Sequence, residues 1–110
     1  MEIIIEQQHR VTIVRPTGFV DHETAGALAE ALNGQMKAGN LSLVVDLDQL
    51  DYMSSAGLRV LLAVLKDARP QGGDLRLANL NEDLQTLFEL TKLDTLFQIS
   101  ETRERALESF

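Results

Sequence analysis

Apolar positions along the chain change period several times, and each change marks an element. Ile3-Ile4-Ile5 and Val11-Thr12-Ile13-Val14 are short β-branched runs on either side of the polar Gln7-Gln8-His9-Arg10. That pattern predicts two strands joined as a hairpin. Pro16 and Gly18 break it. Ala25, Leu28, Ala29, Leu32 and Met36 then recur at helical spacing, with Asp21 as candidate N-cap and Gly39-Asn40 as the stop. The run Leu43-Val44-Val45 within Leu41 to Leu47 is apolar on consecutive positions, as in a strand buried on both faces.

A second helix is predicted from Ser55 to Arg69, ended by Pro70-Gln71-Gly72-Gly73. Asp74-Leu75-Arg76-Leu77 alternates like a half-exposed strand. Asn81 is placed to cap a third helix, with Glu82 and Asp83 in its first turn. Leu84, Leu87, Phe88 and Thr91 would form its inner face. Leu96 to Ile99 reads as a short edge strand, and Ser100 as the cap of a last helix with Ala106, Leu107 and Phe110 facing inward. The order ββαβαβα(β)α contains two strand–helix–strand units, each favouring a parallel pair. The expectation is a single α/β domain over residues 1–110, with a mixed four- to five-stranded sheet and about four helices.

Composition narrows the function. The 110 residues suffice for one hydrophobic core, and cysteine is absent. Net charge is -7, the ten Lys and Arg are scattered, and only five residues are aromatic. Nucleic acid and anionic membranes would repel such a chain, and no base-stacking platform is evident. No apolar run reaches the roughly 20 residues that span a bilayer. The start lacks the basic region of a signal peptide. These features predict a cytoplasmic protein whose partner is another protein.

The candidate chemistry lies where Asp46 ends the central strand, a short acidic connection follows with Asp48 and Asp51, and Ser54-Ser55-Ala56-Gly57 opens the apolar helix. A hydroxyl there would sit among unpaired N–H groups at a positive helix terminus, a place suited to phosphate. On the helix, Leu58, Leu61, Leu62 and Leu65 form the apolar stripe, widened by Val60, Val64 and Ala68. The narrow remaining strip holds Ser55, Arg59, Ala63 and Lys66. Ala63 is small enough to let a partner approach, and Arg59 lies one turn beyond Ser55, within reach of a phosphate on it. A purely structural reading competes: serine is a preferred N-cap, and turn carboxylates are commonly just solvated.

Several segments together resemble the STAS family, named for sulfate transporters and anti-sigma factor antagonists. Gly18-Phe19-Val20-Asp21 resembles its Gly-x-apolar-Asp before the first helix. Leu43 to Leu47 resembles its central strand ending in Asp. Tyr52-Met53-Ser54-Ser55-Ala56-Gly57-Leu58 resembles its serine signature, and Gly72-Gly73 and Leu90-Thr91-Lys92-Leu93 fall where the family has similar segments.

The resemblance implies an anti-sigma factor antagonist of the bacterial kind. Ser55, in preference to Ser54, would be phosphorylated by a partner that is both serine kinase and anti-sigma factor. The unmodified form would sequester that partner, the phosphorylated form would let go, and a phosphatase would reset the cycle. Asp21, Asp46, Ser54, Ala56 and Gly57 would surround the phosphorylation site. Asp21, Asp51, Ser55, Arg59, Ala63 and Lys66 would meet the partner. No cofactor is expected in this chain, ATP being bound by the kinase, and a homo-oligomer stays open because of the strip around Ala63. Many phosphorylated members carry Asp where this chain has Ser54, and Ser or Thr where it has Ala56. Those departures leave a second reading, a scaffold or a binder of nucleotide or lipid with Ser55 only a cap.

Catalysis is not expected. There is no Gly-x-Ser-x-Gly elbow, and the two histidines, His9 and His22, lie in a hairpin turn and at a helix start. No ligand spacing for a metal is present, and Gly72-Gly73 lacks the Gly-Lys-Ser/Thr of a phosphate loop.

Overall fold

The computed structural model describes residues 1–110. Seven strands and four α-helices follow one another: β1 Ile3–Gln8, β2 Val11–Pro16, β3 Gly18–Val20, α1 Ala25–Lys37, β4 Ser42–Asp46, β5 Leu50–Met53, α2 Ser55–Ala68, β6 Asp74–Ala78, α3 Glu82–Leu90, β7 Ile99–Ser100 and α4 Arg103–Glu108. Five strands form a mixed sheet in the order β1-β2-β4-β6-β7, in which only β1 runs antiparallel to its neighbour. The class predicted from the hydrophobic pattern, α/β with a mixed sheet, is the class observed.

β4 shows why its run is continuously apolar. Leu43 and Val45 enter the main core with Leu28 and Leu32 of α1, Leu61 and Leu65 of α2, and Leu84 and Phe88 of α3. Val44 points the other way, into a smaller core with Val11, Ile13, Ala78 and Ala106 of α4. A strand with helices on both faces has no solvent side to mark with polar residues. β6 keeps the expected alternation, with Leu75 and Leu77 buried and Asp74 and Arg76 partly exposed; Ala78 then turns into the smaller core, and the Arg76 guanidinium is engaged by Asp74 and Ser109. Entry into β6 needs a bare backbone at Gly73, where a Cβ would lie 2.2 Å from the Leu41 carbonyl oxygen.

The largest departure is a second, two-stranded sheet. β3 and β5 pair in parallel, Phe19 opposite Tyr52 and Val20 opposite Met53. The sequence reading made a break of the first and an acidic connection of the second. At three and four residues, neither strand is long enough to display a period.

Near the C-terminus the boundaries move. Leu93–Thr95 is a 3-10 turn, and the strand is only Ile99–Ser100. Phe97, expected in that strand, is buried edge-on against Phe88, with ring centroids 5.8 Å apart. Thr102, not Ser100, caps α4, its hydroxyl accepting the Arg105 N–H at 3.2 Å. Thr91 is exposed at the end of α3, where its hydroxyl donates to the Leu87 carbonyl. Phe110 does not face inward; the Arg76 guanidinium stacks on its ring at 3.9 Å. A cation–π contact keeps an aromatic ring at the surface, where simple periodicity would bury it.

Candidate functional site

The site forms where the β3–β5 ribbon delivers the chain to α2. Ser54 N–H donates to Val20 O at 2.8 Å, continuing the parallel pairing one step beyond Met53. Asp21, next after Val20, is therefore brought beside Ser54. Gly57 lies against the ribbon's inner side. A Cβ there would meet Met53 Cγ at 2.5 Å and Val20 Cγ1 at 2.9 Å, so only glycine lets the first turn of α2 seat so closely.

The two serines divide the work. Ser54 is the N-cap, extended at φ -87° and ψ 177°, and its hydroxyl oxygen accepts the Ala56 N–H at 3.2 Å. Its carbonyl accepts the N–H groups of Gly57 and Leu58 at 3.0 and 3.2 Å. Ser55 is the first helical residue; it is exposed, and its hydroxyl has no hydrogen-bond partner within the protein. The terminus is thus less open than the sequence suggested. Capping satisfies three of the first N–H groups and leaves that of Ser55 without an acceptor.

Asp21 is not the cap of α1. Thr24 holds that position, without a side-chain capping bond. Asp21 instead closes the preceding turn, its carboxylate accepting from Glu23 N–H at 2.9 Å and Thr24 N–H at 3.0 Å. The Thr24 N–H is the strongest influence holding the Asp21 carboxyl below the ordinary carboxylate range, against an opposing push from desolvation.

Asp46 departs furthest from expectation. It is neither a solvated turn carboxylate nor a neighbour of Ser55 on the same face. Only 1% exposed, it follows Val44 on the α4 side of the sheet, whereas α2 packs on the opposite side. Its carboxylate accepts from Asn79 Nδ2 and Arg103 Nε, each at 2.9 Å, and from Asp48 N–H at 3.1 Å. Burial pushes its pKa up, but the hydrogen bonds from Asn79, Arg103 and Asp48 together outweigh it and hold the carboxyl below the usual range. Arg103, far along the chain, carried no sign in the sequence that it would reach this strand.

The remaining predicted residues do gather. Ser55, Arg59, Ala63 and Lys66 are all exposed along α2. Asp51 is exposed on β5 and lines, with Tyr52, Ser54, Ser55, Asp83, Leu84 and others, an open hollow of about 340 Å³ between β5, α2 and α3. Ala56 is half-buried against the core. The sequence reading missed two side chains here. Phe19 and Tyr52, cross-strand partners on the ribbon, are 51% and 57% exposed. Two of five aromatics displayed in water beside the serines are a sign of contact with something else. No helix is long and apolar enough to cross a membrane.

Known proteins share this fold. The STAS domain family matches residues 2–106. A chain of Bordetella bronchiseptica named BtrV, described as a candidate anti-sigma factor antagonist, is 34% identical over 110 residues, covering 100% of this chain and 95% of that one. The anti-sigma-B factor antagonist of Bacillus subtilis is 32% identical over 108 residues, 98% of each chain. Among solved structures, the anti-sigma factor antagonist SpoIIAA superposes in its unphosphorylated form with a TM-score of 0.77 at 17% identity, covering 98% of this chain and 96% of that one. Its phosphorylated form, from Bacillus, gives 0.76 at 18%, covering 98% of each. Those two likenesses concern the fold. With the family matched over nearly its whole length, this chain belongs to the STAS domain family.

Proposed function

We propose that this chain is an anti-sigma factor antagonist switched by phosphorylation of Ser55. In this reading the unmodified form sequesters an anti-sigma factor that is also a serine kinase. Phosphotransfer from the kinase's ATP to the Ser55 hydroxyl releases it, and a phosphatase restores the binding form. One observation carries the reading: Ser54 performs the capping, so the adjacent Ser55 hydroxyl is exposed and unpartnered. A purely structural pair would not need the second hydroxyl.

The energetics are sufficient without a change of shape. A phosphate adds about -1.5 to -2 charges near neutral pH. On this chain it would project into water from the start of α2, near the free Ser55 N–H and one turn from Arg59, so the fold tolerates it. Against a docked partner the same charge must be desolvated beside Asp21 and Asp51. A loss of about 3 kcal/mol weakens binding more than a hundredfold.

The hollow at Ser55 motivates the alternative, a small-ligand binder, because its volume lies near the low end of ligand pockets. Its two carboxylates, Asp51 and Asp83, oppose a nucleotide or lipid phosphate, which ranks that reading second. The direct test incubates the chain with its cognate kinase and ATP and locates phosphate by mass spectrometry. Phosphate on Ser55, unimpaired partner binding by Ser55→Ala and weakened binding by Ser55→Asp are expected. An active kinase that leaves both serines unmodified would overturn the switch.

A further inference from the structure

β1 is a regular edge strand whose one charged residue, Glu6, is already paired with Arg103 at 3.2 Å. All six of its residues pair with β2 in unbroken register, from Ile3 opposite Pro16 to Gln8 opposite Val11. It contains no Lys, no Pro and no bulge, and it begins with three consecutive isoleucines, of which Ile5 is 40% exposed. Natural edges of this length are ordinarily interrupted by charge, proline or a bulge. The opposite edge of the sheet, β7, is only two residues long and offers little to pair with.

The alternation of the ladder says which groups are free. Thr17 N–H donates to Glu2 O at 2.9 Å, so the even-numbered residues of β1 turn their backbone groups toward β2. The N–H and C=O groups of Ile3, Ile5 and Gln7 therefore point outward, with no strand beside them.

We propose that this edge pairs with the same edge of a second copy, antiparallel about a two-fold axis at Ile5, joining two five-stranded sheets into one. The register follows from the free groups and the charges. Centred on Ile5, Ile5 faces its counterpart and Ile3 faces the second copy's Gln7, so every outward N–H and C=O finds a partner, about six hydrogen bonds in all. Glu2 then faces Gln8, and Ile4 faces a Glu6 already paired with Arg103 at 3.2 Å. Centred on Ile4 instead, Glu2 would face Glu6, a like-charge opposition that disfavours that register. Contact across the axis also covers the exposed Ile5 side chain. β1 contributes no residue to the hollow at Ser55, so this pairing stands apart from the switch proposed there.

Sedimentation of the full chain over a concentration series up to about 1 mM tests the association. A reversible monomer–dimer equilibrium is expected. Ile5→Lys places two cations at the axis and should weaken association about tenfold or more. Ile5→Pro removes an N–H that the intramolecular ladder does not use, and should do the same while circular dichroism stays native. Because the chain has no cysteine, Ile5→Cys reads the register: it should form a disulfide dimer under mild oxidation, whereas Ile4→Cys should not. A chain that stays monomeric throughout, a dimer indifferent to Ile5→Lys, open-ended aggregates, or cross-linking at Ile4 rather than Ile5 would each overturn the proposal.

Discussion

Asp46 and Arg103 lie 57 residues apart in the sequence and meet through a 2.9 Å hydrogen bond between carboxylate and guanidinium. The pair ties α4, a helix of six residues too short to hold itself, to the end of the central strand. Asn79 reaches the same carboxylate from a left-handed backbone conformation at φ 60°. Truncating Arg103 strands a buried carboxylate with only part of its shell. Arg103→Met should therefore cost about 3 kcal/mol, read as a fall of about 10–15 °C in melting temperature. Glu6→Gln, which removes the more exposed of the two carboxylates on Arg103, should cost under about 1 kcal/mol.

The same pair sets a pH dependence with a definite sign. The folded-state pKa of Asp46 is depressed. Its ionised form therefore contributes stability that is fully present above the unfolded-state value of about 3.9 and is lost as pH falls through the lower folded-state value. Urea midpoints measured from pH 7 to pH 3 should fall in the native chain below about pH 5. Asp46→Asn starts less stable at pH 7 and should fall less steeply over that window. Parallel curves would assign the acid sensitivity to other carboxylates.

Which parts of this fold were legible in the sequence follows from how local their causes are. α2 declares itself because an apolar stripe, a capping residue and a stop lie within one stretch of chain, and α3 by its stripe and cap; Asn81 accepts the Leu84 N–H at 2.8 Å, as its position foretold. β4 declares itself by Val44 and its neighbours, apolar toward both faces. The ribbon of β3 and β5 does not, since its strands pair across more than thirty residues and expose Phe19 and Tyr52, which breaks alternation. At the site, the free hydroxyl of Ser55 was foreseeable once one serine was needed as a cap. The face of Asp46 was not, because it depends on the parity of β4 and on an arginine from the last helix.

Gly57 gives a sharp test of how α2 is seated. Gly57→Ala improves intrinsic helix propensity, which alone would stabilise by about 1 kcal/mol. Here the new methyl would overlap Met53 Cγ and Val20 Cγ1, both on buried side chains. Overpacking of that kind costs about 1–3 kcal/mol and should win. Thermal unfolding should show net destabilisation, and a stabilised variant would mean that the helix start can lift off the ribbon freely.

Ser54 and Ser55 should separate cleanly by mutation. Ser54→Ala removes the oxygen that accepts the Ala56 N–H and should cost about 1 kcal/mol. Ser55→Ala removes an exposed hydroxyl with no partner and should stay within about 0.5 kcal/mol of the native chain. Equal losses in chemical denaturation would mean that both serines serve the helix, which would undercut the reading of Ser55 as the modified residue.

The exposed aromatics predict a loss of binding without a loss of fold. Phe19 and Tyr52 stand opposite each other on the ribbon, beside Asp21 and the two serines, with about half of each side chain in water. Fully covering such rings is worth about 2 kcal/mol or more each, whereas truncating them here removes little buried surface. Phe19→Ser and Tyr52→Ser should each leave the melting temperature within a few degrees of the native value. Each should weaken capture of the anti-sigma factor by about tenfold or more in a calorimetric titration. If either variant binds undiminished, the partner does not dock across that part of the ribbon. The contact would then lie along Arg59, Ala63 and Lys66, where Ala63→Trp should block it.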